Sequence, residues 1–76
     1  MNVSKKVGAR IRIIRKAHNV TQAQLGEAIN VKKNRIWRIE HGLYRIRVDE
    51  LYAVAKYFNV DCHTFLDDEF TITIST

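Results

Sequence analysis

Residues 21–42 read TQAQLGEAINVKKNRIWRIEHG, and the fold of the whole chain turns on how they are understood. Thr21 stands three residues before Gln24, the spacing at which a hydroxyl and an amide reciprocally satisfy the orphan N–H groups of a helix start. Leu25, Ala28, Ile29, Val31, Ile36 and Ile39 then give one inward stripe to each of two short helices, with Val31 filling the corner between them. On the second helix this leaves Lys33, Asn34, Arg35, Trp37 and Arg38 outside. Long cationic and amide side chains on the free face of a short helix suit the phosphates and base edges of a DNA major groove. The stretch therefore predicts a DNA-binding helix-turn-helix.

Outward from the motif, the remaining segments predict further helices. Ser4 is placed to cap a first helix reaching about Ala17, with Val7, Ile11 and Ile14 at helical spacing and Arg10, Arg12 and Lys16 on the polar side. Gly8 costs that helix about 1 kcal/mol against alanine, which points to close helix packing there. Asn19 is a left-handed helix terminator, Gly26 permits the motif helices to approach, and Asn30 suits the positive φ of the turn. Val48 to Phe58 forms a fourth helix with an expected core face of Val48, Leu51, Tyr52, Ala55 and Phe58. Asn59 ends it, Asp61 caps a short fifth helix, and Phe65 with Leu66 closes the core.

Size and charge narrow the function. Seventy-six residues make one small domain with a modest core. The longest apolar run, Leu51 to Ala55, is too short to cross a bilayer, so no membrane partner is expected. A single cysteine, Cys62, forms no internal disulfide, which fits a reducing cytoplasm. Residues 1–47 hold twelve Lys/Arg against Glu27 and Glu40, a net +10, whereas residues 48–76 hold Lys56 against six acids, a net −5. One half is thus suited to neutralising phosphates and releasing counterions.

Within the basic half, Lys33, Asn34 and Arg38 are the expected base readers, since cations recognise guanine acceptors and asparagine bonds an adenine edge in two places. Lys32 and Arg35 are assigned to phosphates, with Arg35 alternatively turned inward or paired with an acid. Arg45 and Arg47, in the connection after Gly42, reach the sugar-phosphate backbone or an adjacent minor groove. Leu43, Tyr44 and Ile46 in the same connection suit a subunit contact, or else Tyr44 and Ile46 tuck into the core.

Gln22, Leu25, Gly26, Ile29, Val31, Ile36 and the ending Ile39-Glu40-His41-Gly42 resemble the Cro/phage-repressor (XRE) helix-turn-helix family. Val7 to Arg12 and Arg15-Lys16 resemble its first helix and Leu51 to Val60 its fourth, so the resemblance covers roughly residues 5–66. It implies an all-α, compact five-helix repressor-like DNA-binding domain over residues 1–66. It further implies an Arg15–Glu40 ion pair tying the first helix to the third, and a phosphate contact by Gln22 at a helix N-terminus, where free amides favour an anion. Two positions depart from the family pattern: Lys32 replaces a small hydroxyl cap, and Trp37 replaces a small residue. The Trp37 ring either lies half-buried against neighbouring helices or meets a thymine methyl or sugar edge.

After Asp67-Asp68-Glu69 the period changes. Phe70, Ile72 and Ile74 alternate with Thr71, Thr73 and Ser75, predicting a short C-terminal β-strand in a tail over residues 67–76. A lone strand has no partner in an otherwise helical chain, so it either pairs with the same strand of a second subunit across a two-fold axis, the favoured reading, or is a frayed tail. Phe70, Ile72, Ile74 and Ile46 are accordingly the expected dimerisation residues.

These readings favour a homodimeric, sequence-specific regulator that reads a palindromic operator in double-stranded DNA. The alternative is an antitoxin or adaptor whose main contact is another protein. Catalysis is set aside: His18, His41, His63 and Cys62 lack metal-ligand spacing, and no nucleophile is grouped with a base. No cofactor, metal or small-molecule ligand is expected.

Overall fold

The computed structural model describes residues 3–66. Five helices follow in order: α1 Val3–Ala17, α2 Gln22–Ala28, α3 Lys33–Glu40, α4 Val48–Phe58 and α5 His63–Leu66, with no strand among the described residues. The strand expected at Phe70, Ile72 and Ile74 lies outside them.

The core is a single cluster drawn from all five helices. α1 supplies Val7, Ile11 and Ile14, α2 Leu25, α3 Ile36 and Ile39, α4 Val54, Ala55 and Phe58, and α5 Phe65. Val20, Ile29, Val31, Ile46, Leu51, Val60 and Cys62 pack around it, so the turn residue Val31 does fill the corner of the motif. Each fully buried aliphatic or aromatic side chain contributes roughly 1.5–3 kcal/mol over its exposed state, and this short list holds the domain together.

Turn chemistry fixes how the helices meet. Asn19, Asn30 and Asn59 have φ of 57°, 62° and 56°, left-handed values that asparagine tolerates better than most residues. The Val60 N–H donates to Ala55 O at 2.9 Å, closing α4 past Asn59. Asp61 Oδ1 accepts from the His63 N–H at 2.9 Å and so caps α5. The close approach of α1 to α3 depends on Gly8, where a Cβ would lie 2.0 Å from Ile39 O. Gly26 has the same role in the motif, where a Cβ would lie 2.6 Å from Val31 O.

Several expectations need correction. Ser4 lies inside α1, which already includes Val3, rather than ahead of its first turn. Arg10, expected on the polar side, is buried and donates through Nη1 to Thr64 O at 3.5 Å, because α5 folds over that flank of α1. On α4, Val48 and Tyr52 are 86% and 63% exposed, while Leu51, Val54, Ala55 and Phe58 turn inward. Apolar residues on α4 cover two adjoining stripes, and packing against the rest of the core selects the one that includes Val54. Ala28 and Leu66 are likewise exposed rather than in the core.

Candidate nucleic-acid interface

The motif is assembled by local hydrogen bonds. Thr21 Oγ1 accepts from the Gln24 N–H at 3.0 Å while Gln24 Oε1 accepts from the Thr21 N–H at 2.8 Å, a complete capping box at the start of α2. The Val31 N–H donates to Gly26 O at 2.8 Å, folding the chain back toward α3. Lys32 occupies the N-cap of α3 with no side-chain cap bond, since its ammonium group has no acceptor to offer the free amides, and its side chain is exposed.

α3 is divided lengthwise. Ile36, Ile39 and Glu40 are buried, whereas Lys32, Lys33, Asn34, Trp37 and Arg38 are exposed along the other side. Arg45 and Arg47, in the connection to α4, are exposed as well. Arg47 Nε lies 3.6 Å from Asp49 Oδ1 with both side chains largely in water, a pair of little energetic weight.

Glu40 is the buried hub beneath this surface. Arg15 Nε and Nη2 donate to its two oxygens at 2.7 and 3.0 Å, and Gln22 Nε2 donates to Oε1 at 3.1 Å. Arg15 Nη1 also donates to Val20 O at 2.8 Å, so one guanidinium links α1, the loop before α2 and the end of α3. The bidentate fork and the added donors compensate the desolvation that makes buried ions costly. Gln22, assigned to phosphate, is thereby held at the first position of α2 with one amide hydrogen engaged.

Arg35 takes the second of its alternatives and pairs with an acid. Its Nε and Nη2 donate to Glu50 Oε2 and Oε1 at 2.5 and 2.7 Å, and Glu50 Oε1 also accepts from the Arg47 N–H at 2.8 Å. The Arg35 hydrogen bond holds the Glu50 carboxyl below its ordinary range; burial opposes that shift and the Arg47 N–H reinforces it. Arg35 is raised in turn, chiefly by the same hydrogen bond. Arg35 is thus engaged by the fold, and Glu50 is a residue that sequence reasoning did not single out. Its place three residues after Arg47, where a carboxylate meets the free amides of α4, was the available signal.

Two aromatic residues border the exposed face of α3. Arg38 Nη1 donates to Tyr44 Oη, and the Arg38 guanidinium carbon lies 5.1 Å from the Tyr44 ring centroid. Trp37 is 43% exposed and stacks on His41, with centroids 3.8 Å apart and planes 19° from parallel. His41 Nδ1 donates to Trp37 O at 2.8 Å, which locks the stack along the helix. Among the described residues no group of three His, Cys, Asp or Glu is placed to hold a metal, and no helix is long and apolar enough to cross a membrane.

A helix-turn-helix family model matches residues 11–65. The chain belongs to the Cro/phage-repressor (XRE) helix-turn-helix family. Within curated helix-turn-helix proteins, it is 35% identical over 66 residues to the HTH-type transcriptional regulator y4wC of Sinorhizobium fredii (strain NBRC 101917 / NGR234). That match takes in 87% of this chain but 46% of y4wC, so the chain spans about half of that relative's length. The clp gene regulator ClgR of Corynebacterium glutamicum shares the fold, with a TM-score of 0.81 and 23% identity over 84% of this chain and 68% of the ClgR chain. Bacillus thuringiensis PlcR, solved in complex with the peptide PapR7 and DNA, superposes with a TM-score of 0.75 and 31% identity over 82% of this chain and 22% of its own.

Proposed function

We propose that the chain is a sequence-specific double-stranded DNA-binding transcriptional regulator, repressor-like, acting in the cytoplasm as a homodimer on a palindromic operator. The observation that carries this reading is the division of α3, whose buried Ile36, Ile39 and Glu40 leave Lys33, Asn34 and Arg38 together on the exposed side. These three are assigned to base edges. Gln22, Lys32, Arg45 and Arg47 are assigned to phosphates. Membership of the helix-turn-helix family and the likeness to PlcR, solved with DNA, support the assignment.

Two copies would set their α3 helices in successive major grooves about 34 Å apart. A groove whose lining is mostly apolar, with Val3, Val7, Ile46, Val48, Leu51 and Leu66 beside Ser4, Arg45 and Arg47, supports a subunit contact near Ile46. Its rim carries Val48, 86% exposed, and Val3, 61% exposed. Phe70, Ile72 and Ile74 are assigned to dimerisation from their alternation, as a strand that pairs with its copy in a second subunit.

Selection from a random duplex pool, followed by a salt titration on the winning sequence, tests this function. A two-fold symmetric site whose affinity falls steeply with salt is the expected result. Recovery of no preferred sequence would favour the protein-interaction module instead.

A further inference from the structure

We propose that Tyr44 is a positioning residue for base readout: it holds the Arg38 guanidinium in one orientation before DNA arrives, and so sets the discrimination at the base that Arg38 meets. This inference rests on the assignment of Arg38 as a base reader.

An exposed arginine ordinarily samples many rotamers, and its planar fork recognises guanine only in a narrow range of orientations. Arg38 is tied down instead. Its Nη1 donates to Tyr44 Oη, and its guanidinium carbon lies 5.1 Å from the Tyr44 ring centroid, within cation–π range. Tyr44 is fixed in return, because its N–H donates to the Arg38 carbonyl oxygen at 3.3 Å and the neighbouring Leu43 N–H donates to that same oxygen at 2.9 Å. Side chain and backbone thus close a ring between the end of α3 and the connection after it.

The second cation at Tyr44 is neutralised. Arg35 places its guanidinium carbon 5.8 Å from the same ring, and Glu50 binds that guanidinium through both oxygens. Without Glu50, two uncompensated cations would compete for one aromatic ring and repel each other. With it, Arg38 is the member of the cluster whose charge meets no carboxylate among the described residues. One of its several N–H donors goes to Tyr44 Oη, and the fork keeps others for a base edge.

Tyr44→Phe removes the hydroxyl and keeps the ring; Tyr44→Leu removes both. Each is compared with the parent protein and with Arg38→Ala by position-resolved selection from a random duplex pool, alongside thermal melting. The expected result is that Tyr44→Phe lowers base preference about three- to tenfold, at the same position that Arg38→Ala erases, as loss of one charge-assisted hydrogen bond at a partly exposed site implies. Tyr44→Leu lowers it further. Melting temperature, salt slope and preference at other positions stay as in the parent, and Tyr44→Phe adds nothing in the Arg38→Ala background. An unchanged preference in Tyr44→Phe, or a loss spread evenly over all sequences, overturns the positioning role while Arg38 remains a reader. An unchanged preference in Arg38→Ala removes the reader assignment itself, and the inference with it.

Discussion

Arg15 and Glu40 stand twenty-five residues apart in sequence and meet through two hydrogen bonds of 2.7 and 3.0 Å, with the Glu40 side chain wholly shielded from water. Their pairing joins α1 to the end of α3 and fixes the tilt at which α3 presents its exposed side. Removing one partner leaves a buried charge unmatched. Arg15→Met is expected to cost about 3–5 kcal/mol in urea denaturation, whereas Arg15→Met with Glu40→Met costs less than the two single changes added together. Additive losses would show that the pair acts as two independent groups.

Glu50 makes stability depend on pH in a defined direction. Its carboxyl is held below the ordinary value of 4.5, principally by Arg35. A depressed native pKa means the unfolded chain binds the proton first, so the stabilisation is fully present above pH 4.5 and is lost as pH falls through the native value. Resistance of the parent protein to denaturation should weaken progressively below that pH, and Glu50→Gln should flatten this limb of the profile. Identical slopes in the two proteins would sink the assignment.

Gly8 is a test of close packing. Alanine is the better helix former by about 1 kcal/mol, so Gly8→Ala on an open face would be stabilising. Here the added methyl falls 2.0 Å from the backbone oxygen of Ile39, which no rotamer change relieves. Gly8→Ala is expected to destabilise by about 1–3 kcal/mol, with loss of DNA affinity in proportion to the shift it forces on α3. A raised melting temperature would show that α1 and α3 are not so closely apposed.

DNA binding should separate the surface residues into two groups. Arg38→Ala and Asn34→Ala are expected to relax sequence preference by about 1–3 kcal/mol at one base position each. Gln22→Ala and Arg45→Ala should weaken binding to every sequence and flatten its salt dependence. Loss of Gln22 also removes one donor to Glu40, so its effect on stability needs to be measured beside its effect on affinity.

Assembly is read by sedimentation. Deleting residues 70–76 should shift the monomer–dimer equilibrium toward monomer, and Ile46→Asp, in the apolar groove, should do the same. A truncated chain that dimerises as well as the parent would locate the contact in the groove alone.

The helix-turn-helix is legible along the chain because its signals are local. Thr21 with Gln24, Gly26, and the asparagines at positions 19, 30 and 59 act through backbone geometry within a few residues, and periodicity identifies Ile36 and Ile39 as inward. The Arg15–Glu40 pairing was legible through family resemblance, which carries long-range information that spacing lacks. How side chains distant in sequence come to share one site depends instead on the packing of the helices. The rotation of α4 that exposes Val48 and Tyr52, the burial of Arg10 under α5, and the capture of Arg35 by Glu50 each depend on relative helix orientations. So does the contact between Arg38 and Tyr44, because a chain reversal at Gly42 must first return the ring to the end of α3. Local patterns fix which residues form a helix and roughly which face is apolar; the balance between burying a charge and pairing it is settled only when the neighbouring helix is in place.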